Sequence, residues 1–196
     1  MSRRERKKEE TRDSIIVCAV SFFKNKGFQE TSMEEIAEKS DVSKGTLYNY
    51  FENKESILVG YFQTIIADYG KEIKESFEEN KDIKSTLYNL LDFISHIFKN
   101  DKELAIIYFK YRMPSRFDVN QDNSQRSGIE KWILEIIEKA QQDNQLRPDI
   151  PALVLTRTFQ FLTMSFFISS IYTEEPFEID IIKDQLIGLF LNGAKL

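Results

Sequence analysis

Apolar side chains recur three and four residues apart along nearly the whole chain, and little interrupts them. Ile15, Ile16, Ala19, Phe22 and Phe23 follow this spacing, as do Ile57, Leu58, Tyr61, Phe62, Ile65 and Ile66. It is the period of a helix with one apolar face. Strand-like alternation is hard to find, and only four Pro and seven Gly fall among 196 residues. The spacing therefore predicts an all-α protein. Helices are expected over 9–26, 32–40, a short piece from Ser43, then 54–78, 83–99, 101–112, 124–144, 149–172 and 178–193. Polar or Pro-containing breaks fall at 113–128, 147–151 and 173–178. No internal repeat or low-complexity tract appears.

Capping chemistry sets the boundaries near the start. Gly27 ends the first pattern as a C-terminal cap. Ser32 and Glu35 have the S-x-x-E spacing of a capping box, which satisfies two backbone donors and starts the second helix. That helix is barely two turns long. Ser43 is placed to cap a third helix and Asn53 a fourth.

The third helix, in "SKGTLYNYF" (43–51), raises the functional question. At about 100° per residue, Phe51 falls about 40° from Leu47, while Gly45, Asn49 and Thr46 fall about 160–260° away. Leu47 and Phe51 would pin the helix. Opposite them lies a flat, hydrogen-bonding face, flanked by Tyr48 and Tyr50 and followed by Lys54. A short helix, a tight turn and a second helix of this kind have helix-turn-helix geometry, whose second helix enters the DNA major groove. Gly45 and Thr46 permit close approach to the sugar–phosphate backbone, and Asn49 can pair with adenine edges. The tyrosine hydroxyls, Thr46 and Lys54 can bond phosphates, which fixes register without reading sequence.

Residues 11–58 resemble the DNA-binding region of the TetR (tetracycline-repressor-like) transcriptional regulators. The shared order runs through Ala19, Phe23, Gly27, Phe28, Thr31, Ile36, Ala37, Val42, Ser43, Gly45, Thr46, Leu47, Tyr48, Tyr50, Phe51, Lys54 and Glu55. The resemblance covers about a quarter of the chain. It implies a head at 1–53 and a ligand-binding and dimerisation bundle at 54–196. It implies that Thr46, Tyr48, Tyr50 and Lys54 contact the DNA backbone, with Lys44, Gly45 and Asn49 nearer the bases. Ser43 belongs to the same candidate set. Ser32, at the capped start of the second helix, would face a phosphate, where the helix dipole is positive. In two places the chain departs from the family's habit. Asp41 stands where Gly often joins the two helices, and Tyr50 stands where histidine is common. Aspartate tolerates the left-handed conformation better than most residues, so the turn is expected to survive.

Charge is unevenly distributed. Residues 1–60 hold eleven basic and eleven acidic residues, so the net charge of −5 resides in 61–196. Arg3, Arg4, Arg6, Lys7, Lys8 and Arg12 crowd the first twelve positions. This is a basic arm, which either frays in solvent or binds a polyanion.

The remaining helices are rich in aromatics. Most of these belong to the core of a bundle. Phe93, Trp132 and Phe161 are candidates to line an effector pocket, with Tyr108, Tyr111 and Arg112 supplying polar groups. The expected effector is small and lipophilic or aromatic. Segments 151–172 and 178–193 are apolar over more of their circumference than a monomer surface tolerates. The resemblance implies that two copies pair through them. Two recognition helices would then sit about 34–36 Å apart and meet successive major grooves of a palindromic operator. Helix 54–78 belongs to both halves and is the candidate lever by which an effector changes that spacing. Repression is the family's common mode.

Other classes find little support. One histidine, His96, gives no Ser-His-Asp set, and no His/Cys spacing suits a metal, so neither enzyme activity, cofactor nor metal is expected. An all-α carrier or enzyme with a vestigial head is the alternative. Cys18 lies in an apolar helical run and reads as a buried small hydrophobe. A single cysteine and an N-terminus without an apolar signal region fit the cytoplasm. Segment 151–172 is long enough to span a bilayer, but Arg157 and Gln160 interrupt it, so a buried helix is expected.

Overall fold

The computed structural model describes residues 2–80, 82–112, 128–172 and 179–194. Those residues form eight helices and no strand: α1 (Arg3–Lys26), α2 (Met33–Lys39), α3 (Lys44–Tyr50), α4 (Lys54–Asn80), α5 (Ile83–Arg112), α6 (Gly128–Gln142), α7 (Ala152–Tyr172) and α8 (Ile179–Ala194). The all-α expectation holds. The breaks expected at 113–128 and 173–178 lie outside the described residues, except that Gly128 already begins α6.

Helix α1 begins at Arg3, earlier than expected. Ser2 and Glu5 form a capping box: the Glu5 N–H donates to Ser2 Oγ at 3.2 Å and the Ser2 N–H donates to Glu5 Oε2 at 2.6 Å. Two orphan donors are thereby satisfied, so the basic segment is the first turns of a helix rather than a separate arm. Residues 3–10 are all charged and carry no apolar side chain, which is why periodicity began the helix later. At the other end Gly27 has φ 96°, in the region that disfavours a side chain, and its carbonyl accepts from the buried Thr31 hydroxyl at 2.8 Å. Cys18 is half-buried rather than buried, with Sγ 3.8 Å from the Lys39 carbonyl.

The chain forms two compact units. One comprises Met1–Ile65 with Asp101–Gln121, the other Ile66–Asn100 with Asp122–Leu196. The core of the first includes Ile15, Ala19, Phe23, Phe28, Ile36, Leu47, Leu58 and Phe62, all buried. Phe23 packs on Phe28 with ring centroids 4.8 Å apart, and Phe62 on Tyr108 at 4.6 Å. The second is centred on Leu87, Leu90, Phe93, Ile133, Ile137, Leu155, Phe159, Ile187 and Phe190. Within it α7 packs against α6 and α8.

Helix α5 is broken at Asp101, whose φ of −137° and ψ of 41° are not helical. The break falls where the sequence pattern separates 83–99 from 101–112. Between α6 and α7, Gln141 Nε2 donates to the carbonyls of Arg147 and Ile150 at 2.7 and 2.8 Å. One side chain thus holds the Pro-containing connection that periodicity marked only as a break.

Candidate nucleic-acid interface

The site is built from α2, a short turn and α3. Helix α2 starts at Ser32, whose Oγ accepts from the Glu35 N–H at 3.2 Å while the Ser32 N–H donates to Glu35 Oε2 at 2.9 Å. Glu35 also pairs with Lys26 of α1. That ion pair, with the Ser32 backbone N–H and hydroxyl, holds the Glu35 carboxyl down at about 2. The start of α2 is therefore locked to α1, and the Ser32 hydroxyl is already engaged.

The turn survives the loss of glycine. Asp41 adopts φ 54°, the left-handed conformation that Asp and Asn reach most easily among residues with a side chain. The Val42 N–H donates to the Ala37 carbonyl at 3.0 Å, and Ser40 Oγ donates to the Ile36 carbonyl at 2.6 Å. These bonds close α2 and redirect the chain into α3.

At the start of α3, Ser43 Oγ accepts from the Thr46 N–H at 3.0 Å and lies 2.8 Å from Thr46 Oγ1. Leu47 and Phe51 are buried, so the helix is held along one edge. Lys44, Gly45, Tyr48 and Asn49 are exposed, while Thr46 and Tyr50 are half-buried. Tyr48 is 51% exposed, unusual for so large an aromatic on a seven-residue helix. The face derived from helical spacing is the face that points outward. Lys44 Nζ pairs with Glu34 Oε1 at 3.2 Å, both groups largely exposed. A surface pair of this kind is worth about 0–1 kcal/mol, so Lys44 can exchange it for a phosphate.

Gly45 has no internal explanation. A Cβ there would meet only Ser43 Oγ, at 3.9 Å, and its φ is not positive. No contact among the described residues requires glycine there. Gly60 on α4 is the opposite case: a Cβ would lie 3.0 Å from Arg12 Nη2 and 3.2 Å from Phe51 Cε1. Gly60 and Arg12 therefore set how α1 and the end of α3 seat on α4. Sequence reading missed both because their partners lie far along the chain.

Lys54 is less available than its spacing implied. Its ammonium donates to the carbonyls of Phe28 and Gln29 at 2.7 and 3.1 Å, and lies 4.8 Å from the centre of the Phe28 ring. It ties the first turn of α4 to the connection between α1 and α2. An ammonium has three protons, and two are committed here. The start of α4 is capped as expected, with the Ser56 N–H donating to Asn53 Oδ1 at 2.8 Å.

The six proposed pocket residues are divided between the two compact units. Tyr108, Tyr111 and Arg112 belong to the first compact unit, and Phe93, Trp132 and Phe161 to the second. Phe93 is buried and stacks on Tyr69 at 4.0 Å. Tyr108 is buried against Phe62, and Tyr111 Oη lies 3.5 Å from Asn53 Nδ2. The Trp132 indole lies over Gly70, where a Cβ would sit 1.7 Å from the ring. Phe161 is a correction: it is 60% exposed, on the outer side of α7. Helix α7 is apolar nearly all round, so periodicity could not tell its inner face from its outer one. His96 is exposed. Among the described residues no His/Cys/Asp/Glu group is arranged to hold a metal, and no helix is long and apolar enough to cross a membrane.

A short helix, a tight turn and a second helix held along one edge with its polar face outward have helix-turn-helix geometry. Residues 15–60 match the family described as bacterial regulatory proteins, tetR family. The chain is 29% identical over 93 residues to the fatty acid metabolism regulator protein of Bacillus subtilis; the match covers 47% of this chain and 48% of that protein. The chain thus spans about half the length of that relative. Its fold superposes with a TM-score of 0.77 on the Thermus thermophilus FadR repressor in complex with lauroyl-CoA, at 24% identity, covering 94% and 95% of the two chains. It is also similar to Bacillus subtilis FadR in complex with stearoyl-CoA: TM-score 0.65, 18% identity, 92% and 98% covered. The match to the tetR family covers residues 15–60, and the chain shares the fold of these solved structures.

Proposed function

We propose that this chain is a repressor that binds a palindromic operator as a homodimer and leaves it when a long-chain acyl-CoA binds. The observation that carries the DNA half is the outward face of α3, with a glycine at its centre that no internal contact requires. Lys44, Gly45 and Asn49 lie nearest the bases. Ser32, Ser43, Thr46, Tyr48, Tyr50 and the remaining proton of Lys54 are the proposed backbone contacts. The acyl-CoA half is supported by the two FadR complexes and by the apolar interior of the second unit. No catalytic role is assigned to any residue.

Dimerisation is placed on α7 and α8. Val154 and Phe161 on α7 and Ile181 and Leu189 on α8 are large, apolar and exposed. Such residues on the two C-terminal helices are the expected face for a second copy. Helix α4 contributes residues to both compact units and is the proposed lever. An effector weakens DNA binding only by its preference for one spacing of the heads, typically about 1–3 kcal/mol of coupling.

The test is enrichment from a random duplex pool at two salt concentrations, with and without lauroyl-CoA. A palindrome retained without the thioester and released with it is the expected result. Retention unaffected by lauroyl-CoA would remove the effector class and leave the DNA reading standing. No retention at low salt would remove the DNA reading.

A further inference from the structure

Helix α7 carries threonines in two different states. The Thr158 hydroxyl donates to the Val154 carbonyl at 2.9 Å, and the Thr163 hydroxyl donates to the Phe159 carbonyl at 2.7 Å. Each satisfies itself one turn back, the usual resort of a helical threonine. Thr156 does not. Its side chain is 0% exposed, yet Oγ1 finds no hydrogen-bond partner among the described residues. One turn later Gln160 Nε2 is equally buried and equally without a partner. Residues four apart on a helix are neighbours on one face. This face is the inner one, shared with the buried Phe159, Thr163 and Phe167 and turned away from the exposed Val154 and Phe161.

Buried polar atoms in native proteins are almost always bonded, so two adjacent exceptions require a reason. We propose that Thr156 and Gln160 form the subsite for the acyl carbonyl of the effector, each donating a hydrogen bond to its oxygen. This rests on the acyl-CoA reading above and narrows it. One carbonyl oxygen has two lone pairs and accepts both donors. The surrounding Phe159 and Phe167 suit the apolar chain on either side. The subsite also selects the state of the acyl group. The one cation of α7, Arg157, is exposed, and the buried Lys183 of α8 is engaged by Asp92 and Asp180. A neutral thioester or ester fits two neutral donors, whereas the carboxylate of a free fatty acid would be buried without a counter-charge.

The test compares two probes on the full chain: dodecanoyl-CoA, and S-dodecyl-CoA, in which a methylene replaces the carbonyl. The wild type is expected to bind the thioester about tenfold to a hundredfold more tightly, because the thioether leaves both donors buried and unpaired. Thr156→Val and Gln160→Leu should each narrow that ratio. Without ligand, Thr156→Val should melt no lower than the wild type, since the hydroxyl removed had no partner to lose among the described residues. That pairing of signs separates a ligand contact from a structural one. A lower melting temperature for unliganded Thr156→Val would show an internal partner and overturn the subsite. Equal binding of both probes would overturn it while leaving acyl-CoA as the effector. Binding of neither would remove the effector class and the subsite together.

Discussion

Lys24 of α1 places its ammonium 2.6 Å from the carboxylate of Asp101, the residue at which α5 breaks. Asp101 also accepts from the Tyr61 hydroxyl at 2.7 Å, and its side chain is only 9% exposed. The non-helical backbone at this position therefore carries a carboxylate that joins α1, α4 and the second segment of α5. All three residues belong to the first compact unit, which therefore includes a helical segment far from α1 in sequence.

Removing that carboxylate should loosen the head. Asp101→Asn keeps the shape but leaves the Lys24 charge without its partner, and a loss of about 1–3 kcal/mol is expected in a urea melt. The pH dependence has a defined sign. The hydrogen bond that Lys24 donates to Asp101 raises the Lys24 pKa above its ordinary 10.5, and burial followed by Asp101 raises Tyr61 above 10.0. Both contributions are present below pH 10 and disappear as pH rises through the raised values. Wild type and Asp101→Asn should therefore converge in stability at strongly alkaline pH.

Glu35 predicts the opposite limb. Its carboxyl is held at about 2 against an ordinary 4.5, mainly by Lys26 and then by Ser32. The stabilisation is complete above pH 4.5 and is lost as pH falls toward 2. Glu35→Gln should melt below the wild type at neutral pH, with the gap closing across that interval. A gap independent of pH would mean that the ion pair contributes nothing.

Gly45→Ala separates folding from binding. The site is helical and open, so alanine should leave the protein as stable or raise its stability by up to about 0.5–1 kcal/mol. Operator affinity should nevertheless fall, because on the proposed interface the methyl group stands between α3 and the DNA. Thermal melting and fluorescence anisotropy on an enriched duplex read the two effects independently.

Lys54→Met should lower stability, since two carbonyls and an aromatic ring lose the ammonium. Hydrogen bonds to charged groups contribute about 1.5–3 kcal/mol. If its third proton meets a phosphate, the salt slope of DNA binding should also fall by about one unit. Stability loss with an unchanged slope would make Lys54 an anchor of the head alone.

Gly70→Ala tests the second unit. A methyl group would fall 1.7 Å from the Trp132 indole, so the ring must move. Overpacking of this kind typically costs about 1–3 kcal/mol. Trp132 is the sole tryptophan, so its emission should shift in the unliganded variant.

Local chemistry was legible in the residues themselves. The Ser32–Glu35 box, the Ser43 and Asn53 caps, the left-handed Asp41 and the polar face of α3 each depend on side chains within four residues of the backbone groups they serve. Their geometry follows from helical spacing and capping, and it defined both the all-α fold and the outward polar face of α3. Tertiary structure alone decided the rest. The partners of Lys54 lie 25 and 26 residues away and that of Tyr61 lies 40 away. Trp132 meets a glycine on another helix, and α7 turns Thr156 inward and Phe161 outward although both sides of it are apolar. A periodic pattern shows that a helix has an apolar face. It does not show which neighbour that face meets, because side-chain pairing across the core is settled only when the helices pack.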